Sequence, residues 1–310
     1  MKSSGIGGQA VIEGIMMKNG DAYAVAVRKE DQSIELLKDE YKLITGKNKI
    51  LSLPLIRGVF NFIDSMVLGM KTLTWSASFY EEEEETEEKP SFVERHFSPE
   101  TAEKLLMGFT VCLSICLAVG IFMVLPAFLT GLLGKFVDSQ FFLSAVEGIV
   151  RIALFVLYVA LISMMEDIRR VFMYHGAEHK CINCIEHGLP LTVENVRSSS
   201  KQHKRCGTSF MLFVMIISIV LFMFIHTETV LMRVISRVLL IPVVAGVSYE
   251  VLRLAGNSDN FLVNLISKPG LMLQNMTTKE PDDSMIEVAI QAVEAVFDWK
   301  EWQDKNLGNE

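Results

Sequence analysis

Two histidines and a glutamate form the pattern H-x-x-E-H at His175, Glu178 and His179. Side chains three and four residues apart lie on one face of a helix, so both imidazoles would point the same way with the carboxylate beside them. Two imidazoles can bind one divalent metal ion, and a neighbouring carboxylate can accept a proton from metal-bound water. The same order of residues defines the inverted zinc-peptidase motif. The pattern predicts a metal site, with zinc as the expected ion and Glu178 as the catalytic base; the alternative is a pair of surface histidines at a polar helix end.

Three further residues are candidate metal ligands. His203 and Cys206 form a second cluster just before an apolar run. Glu250 lies inside the last apolar run, near the end that the H-x-x-E-H helix could reach, and an ionisable group in a membrane segment is a functional candidate by default. We expect the ion to bind the two motif histidines and one or more of these three residues. The alternative for Glu250 is an ion pair with Arg253 or with arginines of the loop.

Three of the five cysteines lie in the same region and allow a competing site. The spacing Cys181-x2-Cys184, followed by His203-x2-Cys206, is typical of a closed structural zinc knuckle. Such a site would use four protein ligands and would fold the loop without catalysing a reaction. A disulfide framework is not expected, because these cysteines stand among histidines in a loop that fits a reducing, cytosol-facing environment.

The composition predicts a membrane protein. Half of the 310 residues are hydrophobic, and the mean hydropathy is +0.34. The net charge of -8 and the pI of about 5.4 give no support to nucleic-acid binding. The first residues lack an apolar stretch, so no cleavable signal peptide is expected. Four apolar runs of membrane length predict four transmembrane helices and the lipid bilayer as a partner; they cover 105–133, 141–165, 208–225 and 230–254.

Loop charges predict the orientation of these helices. The loop 166–207 is rich in lysine and arginine, whereas the connection after the first run carries Lys135 alone. Since positive residues favour the cytoplasmic side, we expect this loop and both termini in the cytoplasm. Glu147 and Arg151, four residues apart near the start of the second run, are expected to pair close to one membrane interface.

The remaining segments predict smaller elements around the membrane domain. The N-terminal segment is expected to hold one strand from Gln9 to Met17, with Gln9 and Glu13 on the same face, followed by a hairpin of 22–28 and 33–37. The expected fold class is a mainly α-helical polytopic membrane protein with about four transmembrane helices. The predicted domains are a small β-rich unit (1–50), an amphipathic interfacial helix (51–80), an acidic linker (81–104), the membrane domain (105–254) with its metal-site loop (166–207), and a cytoplasmic helical tail (255–310).

Four stretches of the chain are similar to one family: Gly7 to Met17, Tyr174 to Lys180, His203 to Ser209, and Leu273 to Pro281. They resemble the YqhQ-like uncharacterised bacterial membrane proteins, which have been labelled predicted metal-dependent enzymes. The resemblance spans nearly the whole chain, and it implies a multi-pass protein of the bacterial cell membrane with a metal site. Lys204 departs from the family pattern, in which a proline is expected; the change affects loop geometry and not a candidate ligand.

Together these features predict a membrane-embedded metal-dependent hydrolase that acts on a membrane peptide or a lipid at the cytoplasmic face. The cations Arg169, Arg170, Lys201 and Arg205 would suit an anionic headgroup. The first alternative is a non-enzymatic membrane scaffold with a structural zinc site in the loop 166–207. The second is metal or ion transport, for which the few polar residues of the spans lie near their ends.

Overall fold

The computed structural model describes residues 2–46, 48–80, 98–225, 227, 229–256 and 260–308. The chain forms two compact units. The first, which we call the site unit, comprises Met1–Glu81, Tyr158–Ser218 and Leu240–Glu310. The second, the helical unit, comprises Glu82–Leu157 and Ile219–Leu239. Most of the predicted acidic linker, 81–97, lies outside the described residues.

Four antiparallel strands form one sheet at the N-terminus, in the order β1-β2-β3-β4. The single strand predicted from Gln9 to Met17 is wrong, because the chain reverses at Ile12 and Glu13. Glu13 adopts a φ of 47°, a turn conformation, so it does not share a strand face with Gln9. No Asn-Gly signal marks this turn, which is why the apolar run reads as continuous. The strands are β1 (Gly7–Val11), β2 (Gly14–Asn19), β3 (Ala22–Arg28) and β4 (Ile34–Glu40).

The remaining described elements are helical, so the mainly helical prediction is confirmed. Proline and glycine separate several of them, and a π-helical turn, Gly120–Val124, interrupts the longest apolar stretch. The helices are α1 (Ile56–Ala77), α2 (Pro99–Val119), α3 (Leu125–Leu133), α4 (Gln140–Ile162), α5 (Glu166–Glu186), α6 (Val193–Ser198), α7 (Gly207–Met223), α8 (Val230–Gly256), α9 (Phe261–Thr277), α10 (Asp283–Val296) and α11 (Trp299–Asn306).

Within the site unit, helices cover both faces of the sheet, because the strands alternate apolar side chains to either side. One face, including Val11 and Val25, packs on Leu68 of α1. The opposite face, including Ile15 and Met17, forms the main core with α5 and α10. Helix α1 therefore buries one apolar side on the sheet, and several of its other apolar residues are exposed: Phe62, Ile63, Met66, Val67 and Met70.

Three helical segments of the described chain are long and apolar enough to cross a membrane: Lys104–Leu133, Gln140–Ile162 and Leu231–Gly256. The fourth predicted run corresponds to α7, which is apolar but has only 17 residues. The structure thus carries three candidate spans where the sequence predicted four.

Charged residues are buried inside the helical unit. The predicted pair of Glu147 and Arg151 forms, with 3.0 Å between nitrogen and oxygen, but it is not an isolated surface pair. Arg237 of α8 also donates to Glu147, and all three side chains are almost fully buried. Arg151 Nε donates to the Phe122 carbonyl oxygen at 2.8 Å, within the π-helical turn. The cluster connects helices of this unit through buried charges, and hydrophobic periodicity alone does not predict these contacts.

Candidate metal centre

Helix α5 positions the H-x-x-E-H residues. Glu166 and Asp167 lie in its first turn, where acidic side chains stabilise a helix N-terminus. The second half of the helix is buried beneath the sheet and α10. Gly176 lies where the backbone of Lys279 crosses the helix, and a Cβ at this position would overlap the Lys279 carbonyl oxygen. The Lys279 N–H donates to the Phe172 carbonyl oxygen at 2.8 Å, which anchors the crossing.

Both motif histidines are oriented by backbone carbonyl groups. His175 Nδ1 is 2.9 Å from the Thr277 oxygen, and His179 Nδ1 is 2.6 Å from the Lys201 oxygen. A carbonyl oxygen can only accept a hydrogen bond, so each Nδ1 must carry a proton, and in the neutral tautomer that results Nε2 has the lone pair. A hydrogen bond from the second ring nitrogen is the usual support of a metal-binding histidine. The two rings lie 4.4 Å apart, between centroids.

Cys206 completes a three-residue cluster. Its sulfur is 3.2 Å from His175 Nε2, and the ligand atoms of His175, His179 and Cys206 all lie within 4.8 Å of one another. The cysteine immediately precedes α7, and the Thr208 N–H donates to its sulfur at 3.3 Å. Thiolate and imidazole are the ligand types that zinc prefers, and three of them fit a tetrahedral ion with one open position.

Glu178 is buried beside this cluster. Burial raises the pKa of its carboxyl group, while the neighbouring His175 and a hydrogen bond from the Gly8 N–H act in the opposite direction. Gly8 lies on β1, and the Cδ atom of Glu178 would be 3.1 Å from a Cβ at that position. The strand thus reaches the carboxylate through its backbone, as only a glycine allows.

His203 lies next to the cluster but faces another partner. Its ring centroid is 5.7 Å from that of His179, and its Nε2 is 3.6 Å from a Glu186 oxygen. Burial alone would raise the pKa of Glu186, but interactions with His203, the Ser4 N–H and Arg205 lower it to about 2. Burial lowers the pKa of His203. The structure therefore gives His203 a place in a buried polar network with Glu186 and Arg205, next to the cluster.

Glu250 does not lie in the cluster. Its carboxylate accepts two hydrogen bonds from Arg57 of α1, with Nε 2.8 Å from Oε1. The hydrogen-bonding partner is thus Arg57, because α1 passes close to the end of α8 and presents its guanidinium there; Arg253 interacts with Glu250 through its charge only. The expectation that Glu250 binds the metal is not met by this geometry.

Cys181 and Cys184 project away from the cluster into the main core. Both are fully buried, and Cys184 Sγ is 3.5 Å from the Pro190 carbonyl oxygen. Burial raises the pKa of the Cys181 thiol well above its ordinary value. The two cysteines are therefore structural thiols here, and the four-ligand knuckle does not form in this structure.

Two cavities meet the cluster. The smaller, of about 110 Å³, is lined by His175, Glu178, His179, His203 and Cys206 together with the Gly7–Gly8 backbone. The larger, of about 530 Å³, shares His175, Glu178 and Cys206 with it and extends between β1, α1 and α7. We call the larger cavity the groove.

Sequence reasoning missed several groups that shape this site. The carbonyl oxygens of Thr277 and Lys201 carry no side-chain signal, and the Glu186–Arg205 pair joins residues with no shared motif. Gly8 does carry a signal in the sequence, because the pair Gly7 and Gly8 suggests a tight turn or close backbone approach.

The fold and the site define a mainly helical chain with three helices of membrane length and a histidine–cysteine cluster held on a sheet-backed helix. The chain belongs to the family described as "Protein of unknown function (DUF1385)", whose model matches residues 53–299. It is 38% identical over 290 residues to the "Uncharacterized protein YqhQ" of Bacillus subtilis (strain 168), which covers 92% of this chain and 90% of that protein. The resemblance to YqhQ-like proteins is thus confirmed. No solved structure matches the chain.

Proposed function

We propose that this protein is a membrane-bound, metal-dependent hydrolase whose metal ligands are His175, His179 and Cys206. The supporting observation is the convergence of their three ligand atoms within 4.8 Å, with the Nδ1–H of each histidine donating to a backbone carbonyl oxygen. Three protein ligands would leave one position for water or substrate, as in catalytic zinc sites.

The chemistry proposed for the site is hydrolysis. A bound zinc ion would lower the pKa of its water to about 7. Glu178 would take the proton of the attacking water, and its raised pKa brings the carboxyl closer to the neutral range in which a general base works well. The close approach of the Gly8 backbone would hold the carboxylate toward the small cavity during this transfer.

We further propose four spans in the bacterial cell membrane, with both termini and the loop 166–207 in the cytoplasm. Besides the three membrane-length segments, α7 would be the fourth span. Its 17 residues extend about 26 Å, slightly less than a hydrocarbon core of about 30 Å. The basic loop residues support the orientation, and the exposed apolar side of α1 would lie against the membrane surface.

Metal content of the purified full chain tests the proposal. We expect about one zinc per chain in the wild type and in Glu178→Gln, and loss of the metal in His175→Asn, His179→Asn and Cys206→Ser. The Glu178→Gln chain should nevertheless fail to complement a strain that lacks the protein. A wild-type protein that binds no metal would refute the proposal.

The metal content of the variant His203→Asn distinguishes the catalytic proposal from the scaffold alternative. If His203→Asn loses the metal as completely as the three ligand variants, the site has four protein ligands and a structural role is favoured. Retention of the metal in His203→Asn, with loss in the other three, supports the open catalytic site.

A further inference from the structure

The outer edge of β1 faces the groove. Strand β1 ends the sheet, and its residues alternate between hydrogen-bonding to β2 and pointing outward. The Arg28 N–H at the end of β3 donates to the Glu13 carbonyl oxygen at 2.9 Å. Because successive residues of a strand bond alternately to its two neighbours, this bond determines which residues of β2 bond to β3 and which bond to β1. It follows that the backbone groups of Val11 and Gln9 bond to β2, whereas those of Gly8 and Ala10 point outward.

Two contacts support this assignment. The Ile12 N–H, two residues beyond Ala10, donates to Ser76 Oγ of α1 at 3.1 Å. The Gly8 backbone, two residues before Ala10, lies beside the Glu178 carboxyl group, whose Cδ would be 3.1 Å from a Cβ at Gly8. Ala10 lies between them and lines the groove. Within the described chain, its outward N–H and carbonyl oxygen have no hydrogen-bond partner.

The groove continues the layered packing of the sheet. Asn61 and Phe62 of α1 form one wall, and Phe172 of α5 forms the opposite wall. Phe210 and Met211 at the start of α7 close the far side. Because α1 and α5 cover the two faces of the sheet, the space between them beyond β1 is where another strand would lie.

We propose that the groove binds an extended protein segment as an added strand on β1, which would make the substrate a polypeptide rather than a lipid. This inference rests on the proposed hydrolase function. The segment would exchange backbone hydrogen bonds with Ala10. A substrate residue two positions along, opposite Gly8, would lie about 7 Å further and beside Glu178.

Cleavage at that point balances as a simple hydrolysis. The oxygen of water bonds to the substrate carbonyl carbon, and the amide C–N bond breaks. The proton that Glu178 removed from the water passes to the leaving nitrogen, so Glu178 returns to its carboxylate form.

The backbone groups argue for a peptide over an acyl chain. A lipid tail in the groove would leave the Ala10 N–H and carbonyl oxygen without partners in an apolar cavity, which is costly. A peptide satisfies both groups and still places alternate side chains against apolar walls. Phe62 and Met211 are partly exposed there, so they suit the apolar side chains of a membrane-derived segment.

A proline substitution tests the contribution of the outward N–H of Ala10. Ala10→Pro removes this donor and leaves the β1–β2 hydrogen bonds intact, since proline is tolerated at edge positions whose N–H faces outward. Lys38→Pro is the matched control, because Lys38 occupies an outward position on β4, the opposite edge of the same sheet. The probe is a fluorescein-labelled decapeptide of alternating leucine and threonine, and its binding to the full chain in detergent micelles is measured by fluorescence anisotropy.

We expect the decapeptide to bind the wild type and Lys38→Pro equally, and Ala10→Pro about tenfold more weakly, the equivalent of about 1.4 kcal/mol. A decapeptide N-methylated at alternate residues lacks the N–H groups that would donate to β1, so it should bind the wild type more weakly by a similar factor. This comparison tests strand addition without any protein variant. Equal binding of the methylated and unmethylated peptides would overturn it. Displacement of the peptide by dioleoylphosphatidylglycerol, with no effect of methylation, would assign the groove to lipid.

Metal analysis of the same samples keeps the two proposals apart. Selective peptide binding by a chain without metal would refute the hydrolase and leave the strand-addition site supported. Bound metal without backbone-selective peptide binding would refute strand addition alone.

Discussion

The substitution Gly8→Ala tests the contact on which the candidate site depends most. A Cβ at Gly8 would lie 2.6 Å from both the Met16 carbonyl oxygen and Met17 Sδ, and 3.1 Å from Glu178 Cδ. The contact with the Met16 backbone oxygen requires β1 to shift relative to β2, and the contact with Glu178 requires β1 or the Glu178 side chain to move. Gly7→Ala is a matched control on the same strand, because a Cβ at Gly7 would meet no atom within 4 Å.

The expected cost follows from these distances. Inserting a methyl group into a packed site costs about 1–3 kcal/mol. With about 2–4 °C of melting temperature per kcal/mol for a chain of this size class, the melting temperature of Gly8→Ala should fall by about 2–12 °C. Gly7→Ala should remain within about 2 °C of the wild type or rise slightly, since replacing a strand glycine restricts the unfolded chain.

Thermal unfolding of the purified chain in detergent, followed by circular dichroism, measures both variants. Complementation of a strain lacking the protein provides the functional reading, and Gly8→Ala should complement poorly because displaced Glu178 no longer faces the cavity. Equal melting temperatures and equal complementation for Gly7→Ala and Gly8→Ala would refute the close approach of β1 to Glu178.

Three further predictions follow from the buried groups. Glu147→Gln leaves Arg237 without its charged partner inside the helical unit, so the free energy of unfolding should fall by about 3–5 kcal/mol; a loss below about 1 kcal/mol in detergent unfolding would contradict the cluster. Glu186 has a pKa of about 2 in the folded chain and of 4.5 ordinarily, so its charged form stabilises the fold above pH 4.5. This contribution is at most about 3 kcal/mol, and it is lost as the pH falls from 4.5 toward 2. Glu186→Gln should flatten that pH dependence in a melting series. Cys181→Ala should lower stability, because the thiol is part of the core, and should leave the metal content unchanged. Loss of the metal in this variant would instead support the four-ligand zinc knuckle.

Local patterns predicted the parts of this protein that depend on neighbouring residues. The H-x-x-E-H spacing predicted a shared helix face for His175 and His179, and the structure places their rings 4.4 Å apart. Apolar runs predicted membrane-length helices, of which three have the required length and composition. These inferences succeed because helical periodicity and hydrophobic length are properties of contiguous sequence.

Partners distant in sequence could not be predicted in the same way. Periodicity cannot tell that Arg57 reaches Glu250 across 193 positions, or that Arg237 joins Glu147 across 90. Both pairings depend on how helices pack, which brings charges together regardless of their separation along the chain. The turn at Glu13 was missed for another reason, since its φ of 47° is adopted by a residue type that rarely signals a turn.

The sequence by itself determined the types of the candidate ligands, the helix that presents two of them, and the presence of helices long and apolar enough to cross a membrane. Only the tertiary structure decided which of the three candidate cysteines could join the histidines. Cys181 and Cys184 share α5 with the motif but lie on its core-facing side, whereas Cys206 comes from another segment and meets His175 at 3.2 Å. The physical reason is that a helix has a fixed angular spacing, so residues close in sequence can face opposite ways, and a metal site needs ligand atoms that converge in space.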